Sequence, residues 1–269
     1  MIRALWTSAT GMQAQQTNID VIANNLANVN TTGFKQSRTS FQDLLYANIR
    51  PAGGTTSGAG TDVPVGIQLG HGVKVTSVGK EFSQGSPVTT SEAAFNVDLM
   101  VQGKGFFQIE LPNGDTAYTR DGSFEINDEG NIVTHDGYPL VGGAVGVDPS
   151  LHTRISIEST GSIGFAVSEA PGFLEDQGQI QLASFVNPAG LTAIGNNLFT
   201  ESLASGAPQV SNPSENGMGS LNHHALEQSN VNMVTEMVDM IATQRAYEIG
   251  TKAIQTADTM LGQVAGLKR

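Results

Sequence analysis

All ten prolines of this 269-residue chain lie between Pro51 and Pro213, so residues 1–50 and 214–269 contain none. Proline removes a helix hydrogen bond and clashes with the preceding turn, so the two ends are free to form long helices and the middle is not. The ends also carry the periodicity that a helix needs. Ile2, Leu5, Ala9, Met12, Gln16, Ile19, Ala23 and Leu26 step alternately by three and four, the seam of a coiled coil with one polar member. Near the C-terminus, Met233, Met240, Tyr247, Ile254 and Leu261 recur every seven residues. A second stripe, Val234, Val238, Ala242, Ala246, Ile249, Ala253, Ala257, Met260 and Val264, runs beside them. Asn232 is placed to cap this helix, with Glu236 in its first turn and Lys268 and Arg269 at its end. A single partner helix covers one such stripe. The sequence therefore allows an intramolecular helical hairpin, while the second stripe calls for neighbouring subunits to take it out of water.

Between the helices the pattern changes period. Residues 97–101, 106–111, 116–120, 123–126 and 131–134 read as short strands, broken by GKG, PNGD, DG, NDEG and HDG, which is the grammar of an antiparallel meander. Further strands are expected at 154–158, 163–167 and 179–186. The first helix stops in 28–33, where Asn, Thr and Gly supply turn chemistry. There Gly33 is expected at positive φ, turning Phe34 into a packed site, and Asn24, Asn25 and Asn28, poor helix formers, are expected to use their amides locally; a plain helix terminus reads the same way. The fold class is α+β: N- and C-terminal helices pair as a coiled-coil inner domain and a β-rich domain is inserted between them. Expected boundaries are 1–30 with 220–269 for the helical domain, 31–94 for an extended connection containing Gly/Thr-rich 51–62, 95–204 for the β-rich domain and 205–219 for the return.

Charge and composition exclude several functions. Residues 51–219 hold 5 of the 13 Lys and Arg but 18 of the 25 Asp and Glu, a net −13, whereas the ends together carry +1. An acidic middle offers no basic face for nucleic acid. With no cysteine, disulfides and thiolate metal sites are absent. No secretory h-region opens the sequence and no run reaches membrane-spanning length, so a cleaved signal is not the expected route out of the cytoplasm. His223 and His224 are adjacent rather than three or four apart, and 127–130 and 136–137 read as turns rather than calcium loops. A carboxylate pair such as Asp121 and Glu125 is the remaining hydrolase reading, and a glycan-binding module the remaining binding one. Both call for an aromatic-lined cleft, and the one tryptophan, Trp6, sits in a helix pattern. The expectation is a protein without catalytic, cofactor or metal residues and without a small-molecule substrate.

Four segments carry a resemblance. ANNLANVNTTGFK (23–35), FQDLLY (41–46), YTRDGSF (118–124) and SNVNMVTEMVDMIATQRAYE (229–248) resemble the bacterial flagellar rod and hook family, and the likeness extends over nearly the whole chain. Hook proteins of that family are longer by an outer domain for which this chain has no room. Proximal rod proteins are mostly shorter or lack the stretch that here covers 46–72. The resemblance implies a subunit of a hollow helical tube that transmits torque across the periplasm, with terminal helices inside and β-rich parts outside. Implied partners are copies of the chain itself, proximal rod proteins, the hook protein, P-ring and L-ring proteins where present, and the flagellar type III export apparatus. It also implies inter-subunit packing through Leu5, Met12, Ile19, Leu26, Met233, Val234, Val238, Ile241, Tyr247, Ile254 and Leu261. A Phe-x-x-x-apolar element read by the export gate would be Phe41 with Leu45, and Asn28, Gly33 and Phe34 form the turn motif.

Overall fold

A computed structural model of the chain describes residues 2–50, 52–53, 64–91, 97–144, 146, 152–167 and 174–266. It has a helix at each end and a β-rich middle, and the chain divides into two compact units. The Gly/Thr-rich run 54–62 and the basic end Lys268 and Arg269 lie outside the described residues.

The first unit comprises Met1–Leu26, Ser37–Gly79 and Asn232–Arg269. Helix α1 spans Ile2–Ala27 and helix α2 spans Met233–Gly266, about 39 and 51 Å at the usual rise. Asn232 caps α2 as expected, its side-chain oxygen accepting from Val234 N at 3.1 Å and Thr235 N at 3.3 Å. The helices touch and run antiparallel: Asn25 meets Glu236, Asn18 meets Thr243, and a Cβ on Gly250 would lie 2.8 Å from Met12 Cγ. The N-terminal seam is a correction to the sequence reading. Leu5, Met12, Ile19 and Leu26 are half-buried, but Ala9, Gln16 and Ala23 face solvent, while Ala14, Ile22 and Asn25 are buried. The buried arc is rotated because α1 packs on more than its partner helix: Ala14 shares a small cavity with Leu44, Val73 and Val75. Two two-stranded ribbons complete the unit, Ser37–Asp43 with Val73–Lys80 and Tyr46–Arg50 with Ile67–Gly70. Among the described residues no helix is long and apolar enough to cross a membrane.

The second unit comprises Ala27–Gln36 and Lys80–Val231. Its main sheet has eleven antiparallel strands among the described residues. From edge to edge the path is Thr192–Gly195, Leu198–Thr200, Thr116–Thr119, Phe106–Glu110, Pro139–Ala144, Asn131–Thr134, Ser123–Ile126, Val97–Gln102 and Ser220–His223; Leu182–Ser184 branches from Phe106–Glu110 and carries Gln209–Ser211. The expected strands are present, yet they do not form a simple meander. Val97–Gln102 pairs with Ser123–Ile126 and Ser220–His223 instead of with its sequence neighbour Phe106–Glu110. Gly103 and Gly105, at φ +115° and +138°, turn the chain out of plane between them. The strand expected at 179–186 is also broken. Buried Ile180 gives its N–H to Gly161 O at 2.8 Å, ending Leu174–Gln179 before Leu182–Ser184 begins.

Alternation along the strands supplies two apolar layers. Phe107, Ile109, Leu99, Ile132 and Leu140 pack with Ile155, Ile163 and Phe165 of a three-stranded sheet, His152–Ile157, Ser162–Val167 and Leu174–Gln179. The opposite face carries Phe106, Tyr118, Phe185 and Phe199 with Phe82 against them. These rings meet edge to face, Tyr118 with Phe185 at 4.8 Å and Phe82 with Phe106 at 5.3 Å between centroids.

Candidate functional site

Two features stand out from a stable β core: an uncovered face on the C-terminal helix, and a buried ionic clasp where the β-rich unit receives its chain connections. Along α2 the residues buried at seven-residue spacing are Glu236, Thr243 and Ala257, with Gly250 between them half-buried. These are polar or small. The residues turned outward are large and apolar: Val234 is 72% exposed, Val238 59%, Ile241 52% and Ile249 68%. Trp6 of α1 is likewise 67% exposed. Met240, Ile254 and Leu261 are half-buried, whereas Met233 and Tyr247 are exposed. An amphipathic helix in a self-contained protein orients the other way, because each fully exposed Val or Ile forgoes about 1.5–3 kcal/mol of burial. Glu236, whose carboxylate accepts from Asn25 Nδ2 at 3.2 Å, is stabilised in addition by its place in the first turn of α2. Asn25 further exchanges two 2.9 Å bonds with the backbone of Ser37, the local use of an amide that the sequence called for.

The turn after α1 docks into the β-rich unit. Gly33 has φ +66°, and a Cβ there would fall 2.5 Å from Asp121 N, so both conformation and space demand glycine. Thr32 Oγ1 donates to Asp121 Oδ1 at 2.9 Å, and Asn197 Nδ2 bridges Thr32 O at 3.1 Å and Asp121 Oδ2 at 3.3 Å. Thr31 N–H donates to Asn28 O at 3.2 Å, closing the turn. Phe34 is buried, with the Lys80 ammonium 4.7 Å from its ring centroid. Phe41 and Leu45, which the resemblance suggests as an export element, are both exposed.

Next to this turn lies an ionic cluster that sequence reasoning missed. Lys35 Nζ is 2.6 Å from Glu227 Oε1 and 2.7 Å from Ser83 O; neither Lys35 nor Glu227 exposes any side-chain surface. Gly85 N also donates to Glu227 Oε1, at 2.9 Å, while Arg120 reaches Glu227 Oε2 at 3.4 Å and Gly103 O at 2.7 Å. Burial pushes the Lys35 ammonium below its usual range, and the opposed Glu227 carboxylate pulls it back; the Arg120 guanidinium is displaced in the same direction for the same reasons. In such a cluster the buried charges face one another instead of solvent. It fixes chain segments that are far apart in sequence. Lys35 and Arg120 stand inside the motifs ANNLANVNTTGFK and YTRDGSF and Glu227 two residues before SNVNMVTEMVDMIATQRAYE, so their composition was visible but their convergence was not.

The carboxylates weighed for hydrolysis are engaged elsewhere. Asp121 is held by Thr32, Ser123 and Asn197, and Glu125 pairs with exposed His135 at 2.8 Å. His223 and His224 stack at 3.7 Å between ring centroids.

Comparison with known proteins places this geometry. Three family models match, described as flagella basal body rod protein over residues 5–35, flagellar hook protein FlgE/F/G D1 domain over 100–165, and flagellar basal body rod FlgEFG protein C-terminal over 223–267. The flagellar basal-body rod protein FlgG of Caulobacter vibrioides is 48% identical over 99% of this chain and 100% of its own length. That of Bacillus subtilis is 39% identical over 100% of both. The flagellar hook protein FlgE of Helicobacter mustelae is 46% identical over 53% of this chain and 31% of its own length. The full-length identities, and family matches that fall on the two helical ends and the sheet between them, lead to one conclusion: this chain belongs to the bacterial flagellar basal-body rod and hook family.

Proposed function

We propose that the chain is the structural subunit of the distal rod of the flagellar basal body, and that it polymerises into a rigid hollow helical shaft carrying motor torque to the hook across the periplasm. The single observation that carries this reading is the inverted α2, which gives its partner helix Glu236, Thr243 and Gly250, buries Ala257 in line with them, and keeps Val234, Val238, Ile241 and Ile249 for water. Neighbouring subunits relieve that exposure by packing terminal helices as a coiled-coil inner layer, with Leu5, Met12, Ile19, Leu26, Met233, Tyr247, Ile254 and Leu261 completing the contacts. Within the expected terminal segments 1–30 and 220–269 the helices Ile2–Ala27 and Met233–Gly266 form this axial layer, and the outer one, expected over 95–204, extends to Val231 because Gln209–Ser211, Ser220–His223 and Ala225–Glu227 are strands of the β-rich unit. The ribbon of Tyr46–Arg50 and Ile67–Gly70 exposes Tyr46, Ile49, Ile67 and Leu69, and a two-stranded ribbon is marginal alone, which supports a lateral tie between subunits over 46–72.

The subunit leaves the cytoplasm through the type III apparatus, with exposed Phe41 and Leu45 as the element read at the gate. Its axial neighbours are the proximal rod proteins and the hook, with P-ring and L-ring proteins around it where an outer membrane is present. Electron microscopy of the purified protein over rising concentration tests the proposal. Straight tubes are expected, and a subunit that stays monomeric at every concentration refutes it.

A further inference from the structure

The chain passes between its two units four times, after Leu26, Gln36, Gly79 and Val231. On the β-rich side, three of those crossings meet at one side chain. Asn230, one residue before the last crossing, accepts from Gln36 N at 2.7 Å through Oδ1; its Nδ2 donates to Glu81 O at 2.8 Å and Ser83 Oγ at 2.9 Å. Glu81 N in turn donates to Gln36 O at 2.8 Å, and Lys80 Nζ to Lys35 O at 3.2 Å. Only a carboxamide offers an acceptor and two donors on one planar group, so neither Asp nor Ser can replace it here. The buried Lys35–Glu227–Arg120 cluster closes the same root from inside, and Gly33 N donates to Glu227 O at 2.8 Å, which brings in the segment that follows the first crossing.

We propose that Asn230 is a positioning residue for torque transmission: its carboxamide binds the crossings at the root of the β-rich unit into one stiff neck, so that load is shared by all the connections in parallel. A chain joined by several independent connections twists at whichever is loosest. Connections hydrogen-bonded to one another move as a group. Asn230 is only half-buried and adds no apolar contact to the core, so its bonds serve the connections more than the sheet.

The inference rests on the rod reading, and the experiment separates the two. The chain has no cysteine, so Asp128→Cys and Thr76→Cys, both at exposed positions, place one spin label in each unit without background and leave the outward face of α2 unlabelled. Doubly labelled subunits are diluted into unlabelled wild-type subunits, assembled, and the label–label distance distribution is measured. Failure of the unlabelled protein to form tubes refutes the rod reading itself. Given tubes, a single narrow distance is expected for the otherwise wild-type background and loss of that single peak for Asn230→Ala, with the melting of the β-rich unit as the folding control. Asn230→Asp keeps the bond from Gln36 N and loses both donors; it is expected to fall between and serves as the test should the alanine variant unfold. A narrow distribution in a folded variant overturns the proposal, as does exclusion of a folded variant from wild-type tubes, since a loosened neck leaves the helices free to seat.

Discussion

Val238→Asp separates a stripe built for assembly from one that is merely tolerated. In the isolated chain Val238 is 59% exposed, so the substitution touches little that is buried, and subunit stability is expected to change by no more than about 0.5 kcal/mol. In the polymer the accounting differs. Covering the remaining surface of a valine is worth about 1 kcal/mol of the ~1.5–3 available for full burial. An aspartate at the same place must also enter without a partner, which adds a few kcal/mol. A combined loss of roughly 3–5 kcal/mol per subunit corresponds to a critical concentration raised about a hundredfold to several thousandfold. The assay is sedimentation of polymer over a concentration series, with thermal melting of the dilute subunit as the control. Val238→Ala, which loses only the transfer part, is expected to raise the critical concentration about fivefold. An unchanged critical concentration for Val238→Asp, at unchanged subunit stability, would refute the assignment of this face.

Glu227→Leu leaves the Lys35 ammonium and the Arg120 guanidinium buried without their shared carboxylate, at a cost of roughly 3–5 kcal/mol, whereas adding Lys35→Met removes one of the two stranded charges and recovers part of it; calorimetric melting checks the order, and a double variant no more stable than the single contradicts the account. Gly33→Ala meets both a left-handed backbone and the main chain of Asp121 at 2.5 Å, so it should lose more than the ~1–2 kcal/mol of backbone strain alone. Urea unfolding should show a lower midpoint at unchanged slope, and a wild-type midpoint would mean that the turn can shift.

Periodicity made the helices legible because it is local: proline placement, the Asn232 cap and the seven-residue repeat each lie within a few turns of chain. Turn chemistry did the same for the short strands and for Gly33. What the sequence could not display is partner choice. That Val97–Gln102 skips its neighbour depends on competing pairings across the whole sheet, and the rotation of the α1 seam depends on a ribbon contributed by Val73–Lys80. The ionic clasp was hidden for a related reason. Lys35, Arg120 and Glu227 are each unremarkable charges along the chain, and only the fold removes them from water together. The stripes of α2 were legible but incomplete: hydrophobic residues mark an interface, yet nothing local says whether the other side belongs to the same molecule.

The polar members of that helix pair have a consequence for the dimensions of whatever the subunit builds. Asn25 with Glu236 and Asn18 with Thr243 are one heptad apart on both helices. Sliding one helix by a heptad, about 10 Å, would bring Asn25 to Thr243 and Asn18 to Gly250, and would leave Glu236 inside without its amide. A seam of leucines alone would accept that slip at little cost, whereas a desolvated carboxylate makes it expensive. The helix pair thus behaves as a ruler with a detent at one setting. Every copy presents the same axial length, and a structure made of many copies keeps its pitch because no copy can be slightly long.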